Sequence, residues 1–124
     1  MEKKKVLIIE DESAIRRIIM DKFSESGFSV IEAEDGEVGL RLAFAEKPDI
    51  ILLDLMMPKV DGLMVMEDLR KDEWGKSVPI IILTNFSADD HITNEVVKHE
   101  PSYYLLKTDW PIEEVVEKVR SIIG

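Results

Sequence analysis

Runs of consecutive apolar residues, most of them β-branched, alternate along the chain with stretches whose apolar residues follow helical spacing. Residues 6–9, 50–53, 80–83 and 103–106 form such runs. A strand that is apolar at every position, rather than at every second one, is typical of a parallel sheet covered on both faces. These runs therefore predict four buried strands, and residues 28–33 predict one more.

Helical stretches follow the first two predicted strands. The first helix is predicted to have Ser13 as its N-cap and to end at Gly27, a residue type that tolerates positive φ. Its apolar positions follow helical spacing: Ile15, Ile18, Ile19 and Phe23. A second helix is predicted to follow the turn at residues 34–36 and to run to about residue 47, where Pro48 closes it.

Three further helices are predicted by the same spacing. The third carries apolar residues at Leu63, Met66 and Leu69, and the fourth, at about residues 87–99, is thinly apolar. The last helix has the clearest apolar stripe, with these members: Ile112, Val115, Val116, Val119, Ile122 and Ile123.

Five strands that alternate with five helices predict βαβ units with right-handed crossovers and helices on both faces of the sheet. The pattern therefore predicts an α/β protein with a doubly wound, five-stranded parallel sheet of flavodoxin-like order 2-1-3-4-5. The sequence shows no repeat, low-complexity segment or linker. We therefore expect residues 1–124 to form a single domain.

Polar residues that can carry chemistry follow directly on the buried strands. Glu10 and Asp11 follow the first strand, Asp54 follows the third, Thr84 follows the fourth, and Lys107 follows the fifth. Ligands of open α/β sheets bind in the crevice beyond the carboxyl ends of the strands. Three acids, one hydroxyl and one amine are therefore predicted to meet in one pocket, a set that suits a divalent cation and a phosphoryl group.

The expected cation is Mg²⁺, because it takes oxygen ligands and is typically held by a few carboxylates and phosphate oxygens. The ligand spacing of a calcium loop is absent from the sequence. With part of the charge neutralised, one carboxylate can attack a phosphoryl donor and form an aspartyl-phosphate. Lys107 would supply positive charge, Thr84 a hydroxyl, and the peptide N–H of Asn85 a further donor.

Composition and charge exclude several kinds of partner and site. The chain has 16 basic and 26 acidic residues and a formal charge of −10, so this domain is not expected to bind nucleic acid directly. It contains no cysteine, which excludes disulfides and zinc–thiolate sites within it. No apolar run approaches the roughly 20 residues that cross a bilayer, and the basic start lacks a secretory apolar region. We expect a cytoplasmic protein with no membrane contact.

The chain resembles the receiver domains of two-component response regulators, including those of the chemotaxis type, over essentially all 124 residues. Four segments carry most of the resemblance: VLIIEDE at 6–12, PDIILLDLMMP at 48–58, PIIILT at 79–84 and YLLK at 104–107. Three pairs add to it: Asp35-Gly36, Gly39-Leu40 and Asp61-Gly62. Together these motifs are highly specific.

The resemblance implies a role for each candidate residue. Asp54 would be the phosphoacceptor, and Mg²⁺ would be held by Glu10, Asp11, Asp54 and the backbone carbonyl of Met56. Thr84 and Lys107 would contact the phosphoryl oxygens, and Tyr104 would turn inward as Thr84 moves. The phosphoryl group would come from a sensor histidine kinase or a histidine phosphotransfer protein, and the switched domain would control a downstream protein target.

Four positions depart from the family pattern. Glu10 stands where the family more often has aspartate, and Asn85 replaces a small residue after the threonine. Pro101-Ser102 replaces a small pair, and Thr108 replaces the proline that usually follows the lysine. A cis peptide bond without proline costs about 2.5–4 kcal/mol, so the sequence leaves open whether the bond between Lys107 and Thr108 is cis, as it often is in the family, or trans.

Three other functions share features with this sequence. A phosphotransferase of the haloacid dehalogenase kind places a second aspartate two residues after its nucleophile, where this chain has Met56. A pseudo-receiver that is never phosphorylated is disfavoured by the complete set of Asp54, Thr84 and Lys107. A receiver belonging to a longer DNA-binding or enzymatic regulator remains open beside a stand-alone protein.

Overall fold

The computed structural model describes residues 3–54, 62–84, 103–106 and 111–124. The strands in these ranges are β1 Lys5–Ile9, β2 Ser29–Ala33, β3 Ile50–Leu53, β4 Ile80–Thr84 and β5 Tyr103–Leu106. The helices are α1 Ser13–Glu25, α2 Gly36–Glu46, α3 Gly62–Arg70 and α4 Ile112–Ile123. The five predicted strands are confirmed, as are four of the five helices. The other predicted helix, at about residues 87–99, lies outside the described residues.

All five strands are parallel and are ordered β2-β1-β3-β4-β5. This confirms the predicted flavodoxin-like sheet. The order reverses between β1 and β3, because the chain first adds β2 on one side of β1 and then β3 on the other. The crevice beyond the carboxyl ends of these two strands is therefore where a ligand is expected.

Alternate residues of the strands contribute to two separate cores, one on each face of the sheet. One core packs against α2 and α3 and includes Leu7, Ile9, Ile51, Leu53, Ile80 and Ile82. The other packs against α1 and α4 and includes Val6, Ile8, Ile50, Leu52, Ile81 and Leu83. Every one of these strand residues is at most 5% exposed. The inner strands are apolar without interruption over residues 6–9, 50–53 and 80–83 because both faces of the sheet are covered there.

Two details of α1 differ from the expectation. Ser13 is already the first helical residue, and Glu12 occupies the N-cap without a side-chain capping hydrogen bond. Ile18 is 60% exposed, because it lies about 100° around the helix from the buried Ile19. The predicted end is confirmed, since Gly27 has a φ of 97°. Only Gly tolerates this conformation at little cost.

The ends of α2 explain the boundaries that the sequence suggested. The side chain of Asp35 accepts a hydrogen bond of 2.9 Å from the backbone N–H of Val38 and so caps the helix. At the other end Lys47 adopts a left-handed conformation with a φ of 45°, and Pro48 follows it. This capping role for Asp35 was not part of the sequence prediction.

Hydrogen bonds from two side chains organise the loop that leads from α3 into β4. The Nη1 atom of Arg70 donates to the carbonyl oxygens of Gly75, at 2.7 Å, and Val78, at 2.8 Å. The Oδ2 atom of Asp72 accepts from the backbone N–H groups of Trp74, at 2.9 Å, and Gly75, at 3.0 Å. The loop thus holds the start of β4 in place.

Replacing Gly75 by alanine is expected to destabilise the protein by about 1–3 kcal/mol, the usual cost of overpacking. A Cβ atom at Gly75 would clash with the carbonyl oxygen of Leu69, and this backbone atom cannot rotate away. Urea unfolding measures the effect, with Ser77→Ala on the exposed side of the same loop as the control. Equal unfolding midpoints for the two variants would contradict the close packing.

Candidate functional site

The backbone positions of Glu10 and Asp54 are set by the sheet itself. Strands β1 and β3 pair in the register Ile9 with Leu53, so the two acids are the next residues on neighbouring strands. The N–H of Asp54 donates to the carbonyl oxygen of Ile9 at 3.1 Å, and the N–H of Glu10 donates to that of Ala33 at 3.1 Å. Both acids are therefore held one residue beyond the strands.

Carboxylate oxygens of Glu10, Asp11 and Asp54 all lie within 4.8 Å of one another. Glu10 is 2% exposed and Asp54 is 6% exposed, while Asp11 is partly buried. The structure thus brings together the three acids that the sequence predicted to share a pocket. Buried carboxylates are uncommon in proteins unless they are paired or bind a metal.

The donor set fits a hard divalent cation. Carboxylates that lie within 4.8 Å of one another repel, so a cation bound between them relieves that repulsion. Only oxygen atoms are offered by these three residues, and Mg²⁺ prefers oxygen ligands from one or two carboxylates and from phosphate. The cluster can therefore place a metal ion and a phosphoryl group beside Asp54.

Arg16 links the turn that carries Glu10 to α1 and β2 by hydrogen bonds. It is a residue of α1 that was not among the sequence-predicted site residues. Its Nη1 atom donates to the backbone carbonyl oxygen of Glu10 at 2.8 Å. Its Nε atom donates to Oε1 of Glu32, on β2, at 3.0 Å. The pair Arg16-Arg17 on an amphipathic helix looks like a solvated face, so the sequence offered no signal for this bond.

Thr84 and Tyr104 are placed by their backbones. Thr84 is the last residue of β4, at the same edge of the sheet as the acidic cluster, and it pairs with Leu106. Tyr104 lies within β5 and pairs with Ile82. Three predicted site residues, Met56, Asn85 and Lys107, lie outside the described residues, as does the bond between Lys107 and Thr108. The roles assigned to these residues remain predictions.

None of the helices in the described parts of the chain combines the length and apolar character required to span a membrane.

Comparison with known proteins gives one family. Residues 6–120 match the model of the response regulator receiver domain. The probable transcriptional regulator ycf27 of Porphyridium aerugineum is 41% identical over 124 residues, covering 99% of this chain and 49% of the relative. The chain thus spans about half the length of this curated relative.

Solved structures agree with that match. The receiver domain of the Francisella response regulator 1452 is 30% identical, with a TM-score of 0.86, and covers 98% of this chain and 97% of its own. The chemotaxis protein CheY4 of Vibrio cholerae shares the fold, with 24% identity, a TM-score of 0.88 and coverage of 98% and 99%. This chain belongs to the response regulator receiver domain family.

Proposed function

We propose that this receiver accepts a phosphoryl group on Asp54 in a reaction that requires Mg²⁺, and that the modified domain controls a downstream protein. The observation that carries the proposal is the meeting of Glu10, Asp11 and Asp54 within 4.8 Å at the reversal point of the sheet. Membership of the receiver family supports it, because receivers of two-component systems act by phosphorylation.

In the proposed reaction, a carboxylate oxygen of Asp54 attacks the phosphorus of the donor. One phosphorus–oxygen bond forms while the bond to the donor's histidine nitrogen breaks, and the imidazole leaves. Glu10, Asp11, Asp54 and the carbonyl of Met56 would hold Mg²⁺, whose charge favours the negative oxygens of the transferring group. Glu10 and Asp54 are buried directly after β1 and β3, so the sheet positions them before the donor arrives.

The remaining predicted residues would complete the phosphoryl site. Lys107 would pair with one phosphoryl oxygen, Thr84 would donate its hydroxyl to another, and the N–H of Asn85 would donate to a third. Transfer of this kind depends mostly on positioning and on stabilisation of charge. Since the phosphoryl group ends on the protein itself, the domain would modify itself and turn over no other substrate.

The proposed partners follow from this chemistry. The donor is a sensor histidine kinase or a histidine phosphotransfer protein, met in the cytoplasm. Relatives that are named transcriptional regulators are about twice as long as this chain, so we also propose an output through a DNA-binding segment of a longer regulator. With a formal charge of −10, the receiver itself is not expected to contact DNA.

Incubation of the protein with acetyl phosphate tests the proposed function. In the presence of Mg²⁺ the intact mass is expected to increase by one phosphoryl group, and with a chelator in place of Mg²⁺ it is expected to stay unchanged. An unchanged mass in both samples, or an equal increase in both, would contradict the proposal.

Phosphorylation is also expected to change the segment from residue 84 to residue 104. Its predicted helix has few apolar residues, whereas α4 buries Val115, Val116 and Val119 in the core. A segment with fewer buried contacts opens more readily, so a bound phosphoryl group can bias it more easily. Hydrogen exchange with beryllofluoride as the phosphoryl mimic should change more in this segment than in Ile112–Ile123. Equal changes in both would contradict this switch.

A further inference from the structure

We propose that Arg16 is a positioning residue of the metal site, which holds the backbone of Glu10 so that its carboxylate is aimed at Mg²⁺. The inference rests on the proposed function, because it concerns the affinity of the acidic cluster for the ion. Arg16 lies outside the acidic cluster and is not among the site residues that the sequence predicted.

Arg16 connects three parts of the fold. It belongs to the first turn of α1, it bonds the Glu10 carbonyl beyond β1 at 2.8 Å, and it bonds Glu32 on the edge strand β2 at 3.0 Å. Its side chain is only 13% exposed, although it carries a full charge. Both hydrogen bonds are made by a planar group whose donors have fixed directions, so the carbonyl of Glu10 is held in direction as well as in distance.

Both backbone groups of Glu10 are thereby engaged. Its N–H donates to the carbonyl of Ala33 at 3.1 Å, and its carbonyl accepts from Arg16. Glutamate has one more rotatable bond than aspartate, so its carboxylate depends more strongly on a fixed backbone. Mg²⁺ demands a near-ideal octahedral arrangement, and loss of a group that orients a ligand typically lowers metal affinity about 10- to 100-fold.

A purely electrostatic effect of Arg16 has the opposite sign. A positive charge beside the acidic cluster repels Mg²⁺, so its removal would by itself strengthen binding of the ion. The positioning role predicts that removal weakens binding. The sign of the change therefore separates the two effects.

Arg17 provides a matched control. It is the next residue of α1, it carries the same charge, and it is exposed. Arg17→Gln changes the net charge as Arg16→Gln does, but leaves the bond to the Glu10 carbonyl in place. Glu32→Gln keeps Arg16 and weakens its anchor on β2, so a smaller loss in the same direction is expected.

The experiment measures the dissociation constant of Mg²⁺ by calorimetric titration of the full chain and its variants. Arg16→Gln is expected to weaken Mg²⁺ binding about 10- to 100-fold, and Arg16→Lys, which keeps the charge but not the planar group with donors in fixed directions, by less. Arg17→Gln should bind as the parent does or slightly more tightly. At saturating Mg²⁺, the rate of labelling of Arg16→Gln by acetyl phosphate should return to that of the parent.

Each result decides a separate question. A parent that does not bind Mg²⁺ would overturn the proposed function itself. A parent that binds, together with an Arg16→Gln variant that binds equally or more tightly, would overturn the positioning role alone, as would a labelling rate that saturating Mg²⁺ does not restore. If Arg16→Gln fails to fold, Arg16→Lys and Glu32→Gln decide: parental affinity in both would overturn the inference.

Discussion

An Asp54→Asn protein is expected to gain no phosphoryl group from acetyl phosphate under conditions in which the parent is labelled. Asparagine keeps the size of the side chain but has no carboxylate oxygen that can attack phosphorus. Its backbone N–H can still donate to the carbonyl of Ile9, as that of Asp54 does at 3.1 Å, so the end of β3 should remain in place. Intact-mass measurement compares the two proteins, and the expected effect is complete loss.

Asp35→Asn is the matched control for this substitution. Asp35 is also a buried aspartate, at 7% exposure, but it caps α2 and is not part of the acidic cluster. Asparagine is an equally good N-cap, so this variant should fold normally and take up phosphate as the parent does. Labelling of Asp54→Asn at the parental rate would show that the acceptor is another residue.

The second large effect concerns stability in the presence of Mg²⁺. A ligand that binds only the folded state at a concentration 100 times its dissociation constant stabilises a protein by about 2.7 kcal/mol. Loss of a carboxylate from the cluster, in Glu10→Gln or Asp11→Asn, should weaken binding by at least the roughly 10- to 100-fold found for groups that only orient ligands. At the same Mg²⁺ concentration these variants should be stabilised by at most about 1.4 kcal/mol, and by less where the loss of affinity exceeds 10-fold.

Each variant is compared with itself, unfolded in urea with and without Mg²⁺, so changes in its metal-free stability cancel. Glu12→Gln is the control, because Glu12 is exposed, adjoins the cluster in sequence, and makes no side-chain cap on α1. It should respond to Mg²⁺ as the parent does. If Glu10→Gln and Asp11→Asn also keep the parental response, the cluster is not the metal site.

The sheet was predictable from the sequence because its signal is local. Runs such as residues 50–53 are apolar at every position since β3 is covered on both faces, and all four of its residues are buried. The alternation of strands and helices also predicted the acidic cluster, because the residues that follow parallel strands lie at the same edge of the sheet. Glu10 and Asp54 needed only the strand order to be recognised as neighbours.

Features that depend on contacts between distant elements were not predictable in this way. Ile18 has the spacing of a core residue, but the sheet covers only part of the circumference of α1, and Ile18 lies beyond it. Arg16 can bond the Glu10 carbonyl and the Glu32 carboxylate only because α1 packs beside the turn that carries Glu10 and beside β2. The periodicity of a helix indicates which of its faces is apolar, but it does not indicate which polar groups come into contact when the helix packs against the sheet.

The most direct test of the central claim locates the phosphoryl group in the chain. The protein is treated with acetyl phosphate and Mg²⁺, then reduced with borohydride, which converts an aspartyl-phosphate to homoserine, and its peptides are sequenced by mass spectrometry. The account predicts homoserine at position 54 and unmodified aspartate at Asp11 and Asp35. Homoserine at another position, or at none while the intact protein carries phosphate, would contradict it.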